Sequence, residues 1–407
     1  MENIDRKIRK RQFMLRGIAL FIALPLLLLI PCESVRAAKK KSFPAAAADT
    51  SIRLLRECMK GKEKQNALIS PDSILTAVTM VESGASGKTL AEMKKTLGGL
   101  PVNSYVKALA GLNERITGQS ALTYRIANSI WYREDRIALK PSYLQSLRSL
   151  YRAQAYAVPF DAATVRAIND WVSEQTGGLI PKIVDRLDPS LRTAVINTVY
   201  FKGDWQEKYQ STAVRTFRKA NGQKQKVSMM EGTEHVYLTL AGGKGFVKNY
   251  RGGKLAFMAL LPPKGMSVSR YLKKISGAGL IRAYKKRRKS GVSVRTRMPE
   301  FKYEYSVSLK KPLVKMGIRQ AFGPAADFSK MTDAKIFIDE ILHKTCIDVN
   351  KDGTEAAAAT AVLMKAGAVF TKTEVKKVYL TRPFVYAIID TKTGIPLFLG
   401  AVNEVSK

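Results

Sequence analysis

The chain is poor in the residues from which active sites are usually built. Of its 407 residues, two are histidine (His235 and His343) and three are cysteine. A Ser-His-Asp or Cys-His arrangement would need one of these histidines as its base, and neither lies beside a Ser or Cys signature. A zinc site needs more Cys and His than this. The sequence therefore predicts no catalytic residue and no metal site.

Phosphate-binding motifs are also missing or incomplete. The stretch 242–245 reads Gly-Gly-Lys-Gly, but it lacks the second half of a phosphate loop, and there is no GxGxxG pattern. We interpret it as a turn. The sequence thus argues against an enzyme, and it predicts no small-molecule cofactor.

Acidic residues are scarce beside basic ones: 33 Asp and Glu against 69 Lys and Arg give a formal net charge of +36. Such a charge favours polyanions, for example a heparin-like glycan or nucleic acid. The densest basic cluster is Lys285, Lys286, Arg287, Arg288 and Lys289. A solvated helix end explains this cluster about as well as a polyanion site does.

One long apolar run is present, at 18–30, behind a series of basic residues. Its length suits the core of a signal peptide better than a membrane span. We predict a signal peptide at 1–37, with Met14 as an alternative start, a short linker at 38–44 and export of the chain. An uncleaved membrane anchor is the alternative. Cys58 and Cys346 follow the leader; a disulfide between them is possible, but two buried thiols are the simpler interpretation.

Hydrophobic periodicity predicts helices early in the chain and strands later. It indicates helices at 42–66, from 71, at 89–97, 103–117 and 168–175, and strands at 124–132, 193–201, 254–261, 292–297 and 301–307. The segment 336–349 is predicted to pass from helix to strand, and 384–389 with 395–402 to form a hairpin. This order indicates an α+β fold with large, mostly antiparallel sheets.

The segment 353–364 is unusual because it suits neither a surface loop nor a core strand. In an extended chain its alternate residues share a face. One face would carry Thr354, Ala356, Ala358, Thr360, Val362 and Met364, which are small first and larger later. The pattern is that of a loop that can become a buried strand.

Over 45–407 the chain resembles a serpin. The matching stretches occur in the order found in the family, and they are NALISP at 66–71, GASGKT at 84–89, INDWV at 168–172, NTVYFKGDW at 197–205, MPEF at 298–301, ADFS at 326–329, RPF at 382–384 and PLFLG at 396–400. The resemblance implies three β-sheets, about nine helices and an exposed reactive loop at about 351–373. It also implies a monomer that inhibits serine proteases through a covalent complex.

The resemblance also implies roles for particular residues. The loop hinge would comprise Gly353, Thr354, Glu355, Ala356, Ala357, Ala358, Ala359 and Thr360. Ser70, Asn197 and His343 match a polar cluster, the shutter, beneath the strands that part, and Trp205 matches the aromatic residue where the loop enters. The family usually has Glu just before the hinge. Here Lys351 and Asp352 stand there, so an ion pair at that point is missing, reversed or shifted.

The cleaved bond is less well defined by the sequence. Spacing from Gly353 favours Gly367-Ala368, whereas counting back from Pro383 favours Val369 or later. Cleavage after Ala366 or Gly367 would suit an elastase-like protease, and cleavage after Lys365 or Lys372 a trypsin-like one. Two other functions remain open: a non-inhibitory carrier or chaperone with the same fold, and a polyanion-binding protein.

Overall fold

The computed structural model describes residues 42–116, 122–188, 190–354 and 373–405. These residues form nine α-helices and three β-sheets, which confirms the predicted α+β class. The predicted signal peptide lies outside the described residues. The helices are α1 Phe43–Cys58, α2 Pro71–Ser83, α3 Gly87–Thr96, α4 Val102–Ile116, α5 Pro141–Tyr151, α6 Ala162–Gln175, α7 Val268–Lys274, α8 Gly277–Lys285 and α9 Lys310–Met316.

Sheet A has six strands in the order β11-β12-β13-β4-β2-β3, and sheet B has six in the order β1-β16-β15-β9-β8-β7. Sheet C has four, β14-β10-β6-β5. In chain order the strands are β1 Ala67–Ile69, β2 Leu122–Arg133, β3 Gln154–Val158, β4 Thr193–Asp204, β5 Ser211–Arg218, β6 Lys224–Glu234, β7 Tyr237–Leu240, β8 Gly243–Asn249, β9 Leu255–Leu261, β10 Val292–Pro299, β11 Phe301–Ser308, β12 Glu340–Val349, β13 Gly353–Thr354, β14 Glu374–Tyr379, β15 Phe384–Asp390 and β16 Pro396–Val402.

Sheet A is covered on both faces. Its inner face packs against sheet B and α2 in the main core, to which β4 contributes Val195 and Val199. Its outer face packs against α6 in a second apolar cluster that joins Ala194 and Ile196 to Trp171. Because both faces are buried, most of β4 is apolar rather than alternating. Any segment that enters sheet A must therefore bury side chains on both faces.

Two helices that flank sheet A begin at clear capping signals. The Ser70 side chain accepts a hydrogen bond from the Ser73 amide, and Pro71 occupies the first turn of α2. Asp161 caps α6 through the Thr164 amide. The cap of α2 places Ser70 and Ser73 directly under the strands of sheet A.

One element of the sequence prediction is wrong. The sequence predicts a helix at the start of 336–349, but the structure has no helix between 333 and 339 and has strand β12 from Glu340 to Val349. The alternation of buried and half-buried residues along β12 is the period of a strand. Before β12 the chain is fixed by Asp339, whose carboxylate accepts hydrogen bonds from the amides of Arg192 and Thr193.

Candidate functional site at the parting strands of sheet A

Strands β4 and β12 are joined over only part of their length. They pair in parallel at six positions, from Glu340 opposite Ala194 to Thr345 opposite Val199. Beyond that point β13 lies between them: Thr354 pairs with Val349 on one side and with Gly203 on the other. The sheet is therefore closed at one end, and at the other it is parted by the first two hinge residues.

The entrance of β13 is shaped by close backbone contacts. A Cβ atom on Gly353 would lie 2.3 Å from the carbonyl oxygen of Gly203, so only glycine fits between the strands here. The Asn350 side chain accepts hydrogen bonds from the amides of Asp352 and Gly353 and so closes the turn that precedes β13. Thr354 is buried, and its hydroxyl lies 2.6 Å from that of Tyr250. The hinge thus starts inside the sheet.

Trp205 anchors this turn from below. Its ring is fully buried and stacks on Tyr250 with centroids 4.6 Å apart. The Trp205 indole donates to the carbonyl of Asn350, and its backbone amide donates to that of Asp352. Sequence reasoning placed Trp205 where the loop enters, and the structure places it against the entrance turn.

An ion pair also lies at the entrance, one residue away from the usual family position. The carboxylate of Asp352 is 3.1 Å from the ammonium of Lys208, and both side chains are largely shielded from solvent. Asp352 thus supplies the acidic group that the position occupied by Lys351 lacks.

A second, buried ion pair supports the aromatic residues. Lys248 lies 2.9 Å from Glu234, and its ammonium is 4.3 Å from the centre of the Tyr209 ring. Burial raises the pKa of the Glu234 carboxyl, and the adjacent Lys248 ammonium opposes that shift. Neither residue was singled out from the sequence, because nothing in their spacing connects them to the hinge.

The polar cluster predicted from the sequence is assembled. His343 on β12 and Asn197 on β4 are opposite each other, and the imidazole Nδ1 lies 2.5 Å from the Asn197 amide oxygen. Nε2 of His343 accepts the amide hydrogen of Ser70 at 3.1 Å. The Asn197 amide nitrogen contacts Ser73 and Asn128, which sequence reasoning did not assign to the cluster. A side-chain hydrogen bond therefore crosses the two strands at their closed end.

Burial determines the ionisation of this cluster. Desolvation lowers the pKa of His343 to about 3, so the imidazole is neutral at physiological pH. Since Nε2 accepts the hydrogen bond from Ser70, Nδ1 carries the proton and donates to Asn197. The His343 side chain thus holds β4, β12 and the start of α2 together as a neutral hydrogen-bonding group.

Two buried carboxyls on α2 have few partners. Burial raises the pKa of Asp72 to about 7, against a lowering effect of its hydrogen bond from Tyr124. Burial raises the pKa of Glu82 to about 8, and neither of its carboxylate oxygens has a hydrogen-bond partner among the described residues. These groups lie in the helix beneath the parting strands, and they make the stability of the folded protein depend on pH.

Most of the predicted reactive loop lies outside the described residues. This applies to the hinge residues Glu355, Ala356, Ala357, Ala358, Ala359 and Thr360 and to the candidate cleavage positions Lys365, Ala366, Gly367, Ala368 and Lys372. The described chain resumes at Thr373 and enters β14, an edge strand of sheet C that pairs in parallel with β10. The two ends of the loop are thus anchored on different sheets.

The basic cluster lies at the end of α8 and in the turn after it. Lys285, Lys286 and Lys289 are exposed. Arg287 instead stacks on Tyr284 with a distance of 3.7 Å to the ring centre, and Arg288 forms an ion pair with Glu374 at 2.6 Å. Three of the five cations in this cluster, the lysines, therefore face solvent.

The described residues contain no group of three His, Cys, Asp or Glu side chains placed to hold a metal ion. Cys58 and Cys346 are not joined by a disulfide, and burial raises the pKa of the Cys58 thiol to about 12. No helix in the described part of the chain is both long enough and apolar enough to cross a membrane.

Comparison with known proteins agrees with this geometry. A family model described as serpin (serine protease inhibitor) matches residues 45–405. The leukocyte elastase inhibitor of Bos taurus is 33% identical over 363 residues, which cover 83% of this chain and 93% of that protein. An uncharacterised serpin-like protein of Thermococcus kodakarensis is 32% identical over 345 residues, covering 82% of this chain and 80% of that one.

Solved structures give the same result. The native state of the thermophilic serpin tengpin is 35% identical and superposes with a TM-score of 0.83 over 89% of this chain and 94% of that one. Its latent state is 33% identical and superposes with a TM-score of 0.77 over 89% of this chain and 98% of that one. The chain belongs to the serpin family.

Proposed function

We propose that this serpin is an exported suicide-substrate inhibitor of serine proteases. The observation that carries the proposal is the partly open pair β4–β12, with the start of the hinge already between the two strands. A protease that cleaves the loop would release its N-terminal part to continue into the sheet. The acyl-enzyme would then be carried along before it could be hydrolysed.

The register of β13 assigns a destination to each following loop residue. If the pairing of Thr354 with Val349 and Gly203 continues, Ala358 comes to lie between Thr345 and Val199. Thr360 then comes to lie between His343 and Asn197. Residues before Ala358 fill the part of the sheet that is already open, whereas Ala358 is the first to require separation of paired strands.

The loop composition suits this path. Thr354 faces inward, so Ala356, Ala358 and Thr360 would enter on the inner face, which sheet B and α2 cover. The alternate residues, such as Ala357 and Ala359, would pass beneath α6. Small side chains keep the barrier to both movements low, and the larger Val362 and Met364 follow once the strands have parted.

The barrier before cleavage comes from the closed end of the sheet. Insertion must break six paired positions and the His343–Asn197 hydrogen bond before new ladder hydrogen bonds form on both sides of the loop. Each new hydrogen bond contributes a net ~0.5–1.5 kcal/mol. Insertion is therefore favourable but blocked while the uncut loop is held at β14.

The candidate cleavage bonds in the loop indicate which class of serine protease this chain would inhibit. Cleavage at Gly367-Ala368, or after Ala366, implies a protease with a small specificity pocket, and similarity to leukocyte elastase inhibitors favours this class. Cleavage after Lys365 or Lys372 would imply a trypsin-like protease. The proposed partner is thus an elastase-like serine protease, with a trypsin-like one as the alternative.

Complex formation tests this function. The protein is mixed with elastase-like and trypsin-like proteases, and the products are boiled in SDS and separated. The proposal predicts a covalent complex of the two proteins and a released C-terminal peptide, whose first residue identifies the bond. If every protease cleaves the loop and dissociates without a complex, the protein is a non-inhibitory carrier or chaperone.

A polyanion is proposed as a modulator, because Lys285, Lys286 and Lys289 are exposed beside each other in a chain of formal charge +36. Binding to heparin and to DNA should weaken steeply with salt, and neutralising these three lysines should reduce both the affinity and the salt slope. Arg288→Gln is a poor control because Arg288 is held by Glu374. Neutralising Lys62, Lys64 and Lys264 instead removes the same charge elsewhere. Equal loss in both triple variants would mean that only the total charge matters.

A further inference from the structure

Sheet C has a basic outer face. Residues of β10 alternate between the buried inner side and this outer face, where Arg295 and Arg297 lie. On the neighbouring strand β14, Lys377 stands directly opposite Arg295. Arg215 of β5 and Arg297 both pair with Glu231 of β6, each at 3.0 Å. Among the described residues, the outer face of sheet C thus carries four cations and one carboxylate, a formal charge of +3.

Two of these cations lack a counter-charge. The single carboxylate is shared by Arg215 and Arg297. Arg295 and Lys377 are exposed, and in the described part of the chain their side chains form no ion pair and no hydrogen bond. Like charges directly opposite each other on neighbouring strands destabilise a sheet. A partner that carries negative charge would remove this repulsion.

The same face also offers apolar and aromatic surface. The Val375 side chain lies on the same side of β14 as Lys377 and is 52% exposed. The Arg297 guanidinium lies 4.4 Å from the centre of the Tyr379 ring. Arginine and tyrosine are enriched in protein–protein interfaces, which also bury apolar side chains. The composition favours an acidic protein over a phosphate or sulfate chain, which would leave Val375 without an apolar contact.

The position of this face indicates which protein would reach it. β14 is the strand that the chain enters directly after the reactive loop. Val375 and Lys377 follow Thr373, the first described residue beyond the loop, by about 7 and 13 Å along the chain. A serine protease is a folded domain about 40 Å across, so one that holds the loop comes to cover this end of sheet C.

We infer that the outer face of sheet C is a docking surface for an acidic surface of the target protease, with Arg295 and Lys377 at its centre. The inference rests on the proposed inhibition of a serine protease. It narrows the target to a protease that carries negative charge beside its active site. Because the contact lies on sheet C and not between β4 and β12, it raises the rate of association and leaves the later insertion of the loop unchanged.

Association kinetics with one protease in two charge states test the inference. The probe is pancreatic elastase, or trypsin if only trypsin forms the SDS-stable complex. It is used as prepared and after succinylation of its surface lysines, which replaces each ammonium by a carboxylate. Unchanged hydrolysis of a small peptide substrate shows that its active site is intact.

Succinylation should raise the association rate constant for the wild type, and this gain should shrink as salt is added. The double variant Arg295→Gln/Lys377→Gln should associate with the succinylated protease about three- to tenfold more slowly. The number of inhibitor molecules consumed per complex should stay the same, because insertion is unaffected. The unfolding midpoint of the variant should stay the same or rise, since two like charges are removed. A lower midpoint would show that these charges hold the sheet together, which would contradict the inference.

Lys224→Gln/Lys226→Gln is the matched control, because it removes two exposed charges at the far end of β6, more than about 20 Å from Arg295. Equal losses of rate in the two double variants would mean that only the total charge matters, and rate constants that ignore succinylation would also overturn the inference. Loss of heparin binding by the Arg295/Lys377 variant with unchanged protease association would overturn it in favour of a polyanion site. If neither protease forms an SDS-stable complex, the proposed inhibition itself fails, and this is seen before any rate is measured.

Discussion

Replacing Asn197 with Ala removes the side chain that connects β4 to β12 at the shutter. The change takes away the partner of the His343 Nδ1–H and the donor to the side-chain amide oxygen of Asn128, both of which are buried. A buried polar group left without a partner costs ~1–3 kcal/mol. Allowing for relaxation, we expect a loss of about 2–4 kcal/mol, or a midpoint lower by about 3–5 °C in a domain of this size.

The same substitution should have a smaller effect on the loop-cleaved protein. In the register proposed for insertion, Thr360 lies between His343 and Asn197, so their hydrogen bond is already broken before the mutation is made. We expect the cleaved form to lose at most half of what the intact form loses. The assay is the unfolding midpoint of both forms, measured by circular dichroism at one scan rate.

Thr198→Val is the matched control because it changes the next residue of the same strand. Thr198 is buried, and its hydroxyl has no hydrogen-bond partner among the described residues. Valine keeps the shape, so the midpoint should stay the same or rise slightly. Equal losses for Asn197→Ala in the intact and cleaved proteins would refute the reasoning, since the His343 bond would then survive insertion.

Three further predictions follow from the site. Ala358→Arg places a charged side chain at the first position that must separate paired strands, so the SDS-stable complex should disappear while loop cleavage continues. Ala358→Ser should keep the complex. Inhibition by the Arg variant would contradict the assigned register. Asp352→Asn removes the carboxylate paired with Lys208 and should lower the midpoint of the intact protein by about 1–2 °C, an effect that must vanish in a Lys208→Met background if the pair is its cause. Glu82→Gln should stabilise the protein near pH 8 and leave its stability unchanged near pH 4.5, because the pKa of Glu82 is about 8 in the folded state and 4.5 in the unfolded state. The wild type therefore loses up to a few kcal/mol of stability as pH rises from 4.5 to 8, and the variant does not. Unfolding midpoints of both proteins across this range check the prediction, and parallel pH profiles would show that Glu82 does not titrate this way.

The shutter and hinge could be recognised in the sequence because the family resemblance carries them residue by residue. Ser70 and Asn197 occur within specific motifs, and the small residues of the hinge have a strand-like alternation that is visible without any structure. The structure adds that His343 faces Asn197 across paired strands and that Thr354 is already buried.

The remaining parts of the site depend on contacts between distant segments, and these leave no local pattern. The Lys208–Asp352 pair joins the segment after β4 to the turn before β13, and these are far apart in the chain. The unusual residues before the hinge are therefore visible in the sequence, but the partner of Asp352 is not. Lys248 and Glu234 are equally invisible, because a buried lysine looks like a surface lysine in sequence. The helix predicted before β12 is absent for a related reason. Hydrogen bonds from distant amides to Asp339 determine the conformation of that segment, and its own hydrophobic periodicity does not.

The central claim, that sheet A opens between β4 and β12 to accept the cleaved loop, is tested most directly by one comparison. The unfolding midpoint of the intact protein is measured beside that of the same protein cleaved within 366–372. Insertion predicts a clearly higher midpoint after cleavage, because the loop gains ladder hydrogen bonds to both strands. An unchanged or lower midpoint would mean that the cleaved loop stays outside the sheet, and the account of inhibition would fail with it.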